Sequence, residues 1–221
     1  MARILPRAFA VWLGGWLGRM YARLRLPRTG IARAQMAASF PDWDSRAVRA
    51  CVVATFGQFG RGLVETLRLL GGETEDPRRW VELEGLEHLE SAKRSSPRGG
   101  GIILLTAHFG SWELFAAATA RAGHTVSIVH RPNRNPFLET LILSWRERAG
   151  LDVLQRGRAG RAVLQALRKG HIVVMPLDQD TRRKEGVFVP FFGRPACTRP
   201  TPAQLAMRLQ VPVVPAFIYR E

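Results

Sequence analysis

The chain has 221 residues, 46% of them hydrophobic, which suffices for a sizeable core and excludes both a wholly disordered chain and a disulfide-stapled miniprotein. Lys plus Arg number 33 against 18 Asp plus Glu, a formal charge of +15, and the only lysines are Lys93, Lys169 and Lys184. Such an arginine-heavy balance favours an anionic partner: membrane phospholipid, a phosphorylated substrate, an acidic carrier protein or nucleic acid.

Cys51 and Cys197 are too few for a disulfide framework and lack metal-ligand spacing, which fits a reducing compartment. The first 33 residues carry seven arginines and no acid. Within them runs Ala8 to Gly18, AFAVWLGGWLG, with Trp12 and Trp16 one helical turn apart. As a helix this stretch rises roughly 16 Å, short of the ~30 Å hydrocarbon core. Two readings stand: an interfacial helix whose arginines snorkel, or an ordinary helix packed on the domain with its arginines on the wet side. Gly14 and Gly15 each cost a free helix about 1 kcal/mol, so the segment needs a protein or lipid surface to order it. Arg19, Arg23 and Arg25 stand where a secretory signal needs small residues, so no such signal is expected.

After Pro41 and Asp42, either Asp44 or Ser45 caps a helix. Val48, Val52, Phe56, Phe59 and Leu63, continued by Leu67 and Leu70, form its expected buried stripe, with interruptions at Gly57, Gly60 or Gly62 and an end at Gly71 and Gly72. Residues 73–100 are charged and close on the turn-rich SSPRGG. Then strands and helices alternate: strands over 101–107, 125–129, 171–177 and 212–219, and helices over 112–122, 136–149, 158–169 and 203–209. That order predicts an α/β fold whose mainly parallel or mixed sheet is covered by helices. The domain reading is a basic interfacial helical segment at 1–38 and a second domain at 39–221, whose last strand is either a sheet edge or the sign of a carboxyl-terminal part beyond Glu221.

LLTAHFGSWE places His108 just past the first strand and Glu113 five residues later. Parallel sheets bind ligands beyond the carboxyl ends of their strands. A neutral imidazole there can take a proton from an alcohol while a carboxylate fixes its tautomer, chemistry that needs no enzyme nucleophile. Ser111 is placed to cap the following helix, though a lone histidine is more often structural or exposed.

With these residues the chain resembles the bacterial lipid A biosynthesis acyltransferases, the lauroyl and myristoyl transferases, and more distantly the glycerolipid acyltransferases with their His-x4-Asp/Glu signature. His108 and Glu113 in HFGSWE match that signature, and AASFPDW, HRPNRNP, WRERAG, LRKGHIVVMPLDQD and VFVPFFGRPACTRPTPAQLAMRLQVPVVPAF extend the likeness over most of the chain. The resemblance implies a glycerolipid-acyltransferase-like fold with an amino-terminal membrane-associating segment. His108 would be the general base and Glu113 the residue that orients it. Arg146, with Arg148 as contender, and Arg131 in a Tyr-Arg-Pro-like turn are matched to anionic substrate binding, and Asp178 to the active region. FVPFFG, ending at Gly193, offers either an acyl-chain wall or plain core packing, and Thr198 matches a family position in the turn that follows. The chain departs from the family where Thr201 and Gln210 replace glycines.

The expected function is membrane-associated O-acyl transfer from acyl carrier protein to a hydroxyl of a lipid A precursor or related glycolipid, without metal or redox cofactor. The place is the cytoplasmic face of the bacterial inner membrane, with peripheral or shallow insertion on an anionic surface. Coenzyme A is the less favoured donor. The alternatives are a catalytically inactive membrane-binding or carrier-binding protein, and an acyl thioesterase. No nucleic-acid reading module accompanies the arginines, so nucleic acid is not an expected partner.

Overall fold

The computed structural model describes residues 5–24, 26–70, 76–155 and 159–221. They pack as two compact units, Met1–Glu73 with Phe188–Ala196, and Thr74–Val187 with Cys197–Glu221.

The first unit holds three helices, α1 (Arg7–Arg23), α2 (Pro27–Ser39) and α3 (Ser45–Leu70). Asp44 caps α3, its Oδ1 accepting from the Ala47 N–H at 2.6 Å. The expected interruptions do not occur: α3 runs unbroken through Gly57, Gly60 and Gly62. One of those glycines, Gly60, serves a helix crossing instead, together with Gly18 of α1. A Cβ on Gly60 would lie 2.2 Å from the Gly14 carbonyl oxygen, and one on Gly18 would lie 2.0 Å from that of Phe56. The backbones of α1 and α3 therefore touch, and α3 is the surface that orders the Gly14–Gly15 pair, both buried. This crossing also corrects the predicted stripe. Val48 and Val52 are buried, but Phe59, Leu63 and Leu67 are exposed, because the glycine face of α3 is the one that receives α1. The expected stop at Gly71 and Gly72 lies outside the described residues. Among the described residues no helix is long and apolar enough to cross a membrane.

The second unit is built on a five-stranded parallel sheet of β1 (Ile102–Thr106), β2 (Val126–His130), β3 (Leu151–Gln155), β4 (Ile172–Pro176) and β7 (Val213–Pro215), in the order β3-β2-β4-β1-β7. A separate two-stranded ribbon pairs β5 (Val187–Phe191) with β6 (Arg194–Thr198). The charged stretch before β1 contains α4 (Leu86–Ser95) and the single turn α5 (Pro97–Gly100). The crossovers are α6 (Trp112–Arg121), α7 (Pro136–Arg148) and α8 (Ala159–Arg168), with α9 (Thr201–Leu209) before β7. Alternation along the buried strands feeds two cores. Ile103 and Val173 join Val163 and Leu167 on one face, while Ile102, Leu104 and Ile172 join Leu89 and Phe115 on the other. The last strand is shorter than expected and lies at a sheet edge. Gln210, where the resembled family places glycine, sits at φ +56° as the C-cap of α9, a left-handed position at which glycine carries no penalty.

The glycine crossing sets a test by thermal unfolding. Gly60→Val should destabilise the protein by about 1–3 kcal/mol, because the new methyl groups meet backbone that cannot step aside. Gly30→Ala in α2, with open space around it, should be neutral or stabilising by up to about 1 kcal/mol. Equal behaviour of the two variants would contradict the backbone contact.

Candidate active site

The site begins with strand register. β1 pairs with β4 in a constant offset, Ile102 against Ile172 through Thr106 against Pro176. Two residues past each strand end that register brings His108 level with Asp178. The Asp178 carboxylate takes both available bonds: its Oδ2 accepts from the His108 main-chain N–H at 3.0 Å and its Oδ1 meets the ring Nδ1 at 2.9 Å. A carboxylate accepts, so Nδ1 carries the proton, and in the neutral ring Nε2 keeps its lone pair. Both side chains are about one-third exposed, at 33% and 32%, leaving the ring open to a reactant. Trp112 stands edge-on to the imidazole at 5.2 Å, and the Gln179 amide lies 3.5 Å from Nε2.

Glu113, in the first turn of α6, is engaged elsewhere. Its carboxylate holds Arg146 of α7 through two bonds, Nη2 to Oε1 at 2.5 Å and Nε to Oε2 at 3.4 Å. Arg146 continues through Nη1 to His130 Nδ1 at 2.8 Å, and His130 Nε2 reaches both Glu139 oxygens at 2.9 Å. Because the guanidinium can only donate, His130 accepts at Nδ1 and donates from Nε2. Glu113 and His130 are buried; Arg146 compensates the Glu113 carboxylate, and both ring nitrogens of His130 are bonded. Glu139 also accepts from the Asn133 N–H at 2.7 Å, which, with His130 after it, holds the carboxyl below its ordinary value of 4.5.

His108, Trp112, Glu113 and Arg146 line one cavity of about 100 Å³ at the carboxyl ends of the strands, walled by Phe115, Ile128, Val129 and Val174. The structure thus brings together His108, Glu113, Arg146 and Asp178, but in pairs other than those expected from the sequence. The carboxylate on the His108 ring is that of Asp178, and Glu113 fills the planar fork of Arg146 that was matched to an anionic headgroup. Arg131 follows β2 as an exposed residue, and Arg148 ends α7 exposed, its carbonyl accepting from Arg121 at 3.3 Å. Gly193 lies between β5 and β6 at φ +70°, and Thr198 closes β6. Those four residues do not line the cavity. Ser111 occupies the N-cap position of α6, but its buried hydroxyl makes no capping bond.

The whole chain, residues 1–221, matches the family described as bacterial lipid A biosynthesis acyltransferase. The chain belongs to this family. Among its curated members it is 30% identical to the lipid A biosynthesis acyltransferase of Haemophilus influenzae over 197 residues, 88% of this chain and 61% of that protein. It is 29% identical to the lipid A biosynthesis lauroyltransferase of Escherichia coli over 215 residues, 96% of this chain and 69% of that one. It is likewise 29% identical to the palmitoleoyltransferase of that organism over 189 residues, covering 86% and 60% of the two chains. The chain thus spans roughly three-fifths to two-thirds of the length of these relatives.

Against the family signature, the sequence reading missed His130 and Glu139 as members of the site. The signal was present in the sequence: as His108 precedes Glu113, a histidine at a strand's carboxyl end precedes a glutamate in the first turn of the next helix. Since Glu139 is held below its ordinary value, its contribution to stability is complete above about pH 4.5 and is lost as pH falls through the lower folded-state value. Glu139→Gln should therefore be less stable near neutrality, with the difference closing on acidification. Chemical denaturation across pH checks this, and a constant difference between the two proteins would contradict it.

Proposed function

We propose that this chain carries a membrane-associated O-acyltransferase site, which moves a fatty acyl group from the thioester of acyl carrier protein to a hydroxyl of a lipid A precursor or related glycolipid. The observation that supports it most directly is the His108–Asp178 pair, with an unprotonated Nε2 at the mouth of a cavity beyond the strand ends. The acceptor hydroxyl approaches Nε2, and its oxygen attacks the thioester carbonyl as its proton passes to the ring. Asp178 keeps Nδ1–H in place and stabilises the imidazolium that forms. Collapse of the tetrahedral intermediate breaks the carbon–sulfur bond and expels the carrier thiol, to which the ring returns the proton.

In this reading Asp178 takes the orienting role that the signature gives to Glu113. Glu113 instead fixes Arg146 in the cavity wall, and its influence on His108 is through the shape and charge of that wall. Arg131, exposed beyond β2, is the cation offered to the anionic headgroup of the acceptor. The strongly basic surface suits the acidic carrier by steering its approach. Membrane association is supported by the face of α1 turned away from α3, where Phe9, Trp12, Trp16 and Leu17 are exposed amid arginines with no acidic neighbour on that helix. The location that follows is the cytoplasmic face of the bacterial inner membrane, with shallow insertion.

His108→Ala should reduce acyl transfer by about 100-fold or more with the fold intact. Asp178→Asn should lower kcat by about tenfold or more while donor KM stays close to that of the parent protein. The measurement is acylated lipid and free fatty acid from one reaction, after matching folded protein. Undiminished transfer by His108→Ala would sink the mechanism, and free fatty acid as the main product would make the protein a thioesterase.

A further inference from the structure

The ribbon of β5 and β6 has an unusual surface. All five residues of β5, Val187 through Phe191, are exposed, so the alternation that gives a strand one wet and one dry face is absent. Phe188, Phe191 and Phe192 show 57%, 62% and 51% of their surface to solvent. Phe192 adds a backbone feature: it sits at φ +48° directly before Gly193 at φ +70°, a left-handed pair at a turn where Asn or Gly would be unstrained. Keeping a phenylalanine there serves its side chain, which meets Phe40 edge-on at 5.1 Å; Phe40 in turn stacks on Trp43 at 4.3 Å. Along the chain the ribbon is bracketed by Arg182, Arg183 and Lys184 before it, and Arg194 and Arg199 within and after it, against the single carboxylate of Glu185. Arg182 and Arg199 both engage Glu185, whose one charge leaves the segment strongly cationic.

A two-stranded ribbon is marginal in water, and the β5 strand of this one, apolar and exposed along its whole length, has no buried side of its own. Aromatic residues flanked along the chain by cations match the layer where lipid headgroups meet acyl chains, since rings partition into that boundary and guanidinium groups meet phosphate. We propose that the β5–β6 ribbon is a second membrane-inserting element, its tip at Phe191–Gly193 entering the headgroup layer of an anionic bilayer. It is distinct in sequence from α1 and adds to the membrane association proposed above, on which it rests. An acidic carrier protein is the competing occupant. Exposure of β5 on both of its faces fits lipid better, because a fluid bilayer surrounds a strand whereas a folded partner covers one side.

The test uses the full chain with Cys51→Ser, Cys197→Ser and Val189→Cys, labelled with an environment-sensitive fluorophore, and vesicles of equal parts phosphatidylglycerol and phosphatidylethanolamine. The expected result is a blue shift with vesicles and quenching by lipid-borne quenchers. In the unlabelled chain, Phe188→Ser with Phe191→Ser should weaken flotation with these vesicles at least about tenfold, while circular dichroism stays unchanged. Flotation with a fluorophore that remains in water would overturn the ribbon's role and leave α1 as the anchor. A fluorophore that responds to acyl carrier protein and not to vesicles would overturn it in favour of carrier docking. Failure of the chain to float at all would overturn both the ribbon and the membrane association. None of these readouts needs turnover, so the acyl-transfer reading stands or falls separately.

Discussion

A single carboxylate, reaching across two neighbouring parallel strands, organises the site. Asp178 is carried on the end of β4 and binds His108, carried on the end of β1, at both the main chain and the ring. The main-chain bond holds the loop at the height of the carboxylate; the ring bond then sets the tautomer. Both depend on register, Ile102 against Ile172 through Thr106 against Pro176, and on the packing of both faces of these strands, with Ile103 and Val173 in one core and Ile102, Leu104 and Ile172 in the other. Core packing on both sides of the sheet is thereby converted into placement of one nitrogen lone pair.

A second chain of charges runs beside the first. Glu113, Arg146, His130 and Glu139 alternate acceptor and donor from α6 through α7 and β2, each satisfying the next. In a cavity with walls of Phe115, Ile128 and Val174 an unpaired charge would be costly, and this alternation is what lets a carboxylate and a guanidinium sit there. The signature glutamate thus bonds Arg146 in the cavity wall in this geometry.

Much of this was legible in the sequence, for physical reasons that also explain the gaps. The central strands are continuous apolar runs, because both of their faces are covered, and so they could be read directly. β3 was missed because LDVLQ follows its helix after only Ala149 and Gly150 and carries Asp152 and Gln155, as an edge strand can. The stripe expected on α3 is buried only at Val48, Val52 and Leu70, with Phe59, Leu63 and Leu67 exposed, because periodicity finds an apolar stripe but not which face a glycine-lined neighbour claims. Asp178 was recognised at its strand end, yet its partner was not. Counting one residue past the expected strands 101–107 and 171–177 would have placed it level with His108. The ribbon was read as wall or core because phenylalanines usually are, and exposure on both faces is a property only the fold reveals.

The tautomer of His108 tests the central claim most directly. A two-bond nitrogen–proton correlation spectrum of the isotopically labelled chain, recorded where the imidazole is neutral, distinguishes the ring nitrogens. The account predicts a proton on Nδ1 and a bare Nε2 in the parent protein, with the preference lost in Asp178→Asn. A proton on Nε2 in the parent protein would contradict it, since that nitrogen would then have no lone pair to receive the acceptor's proton.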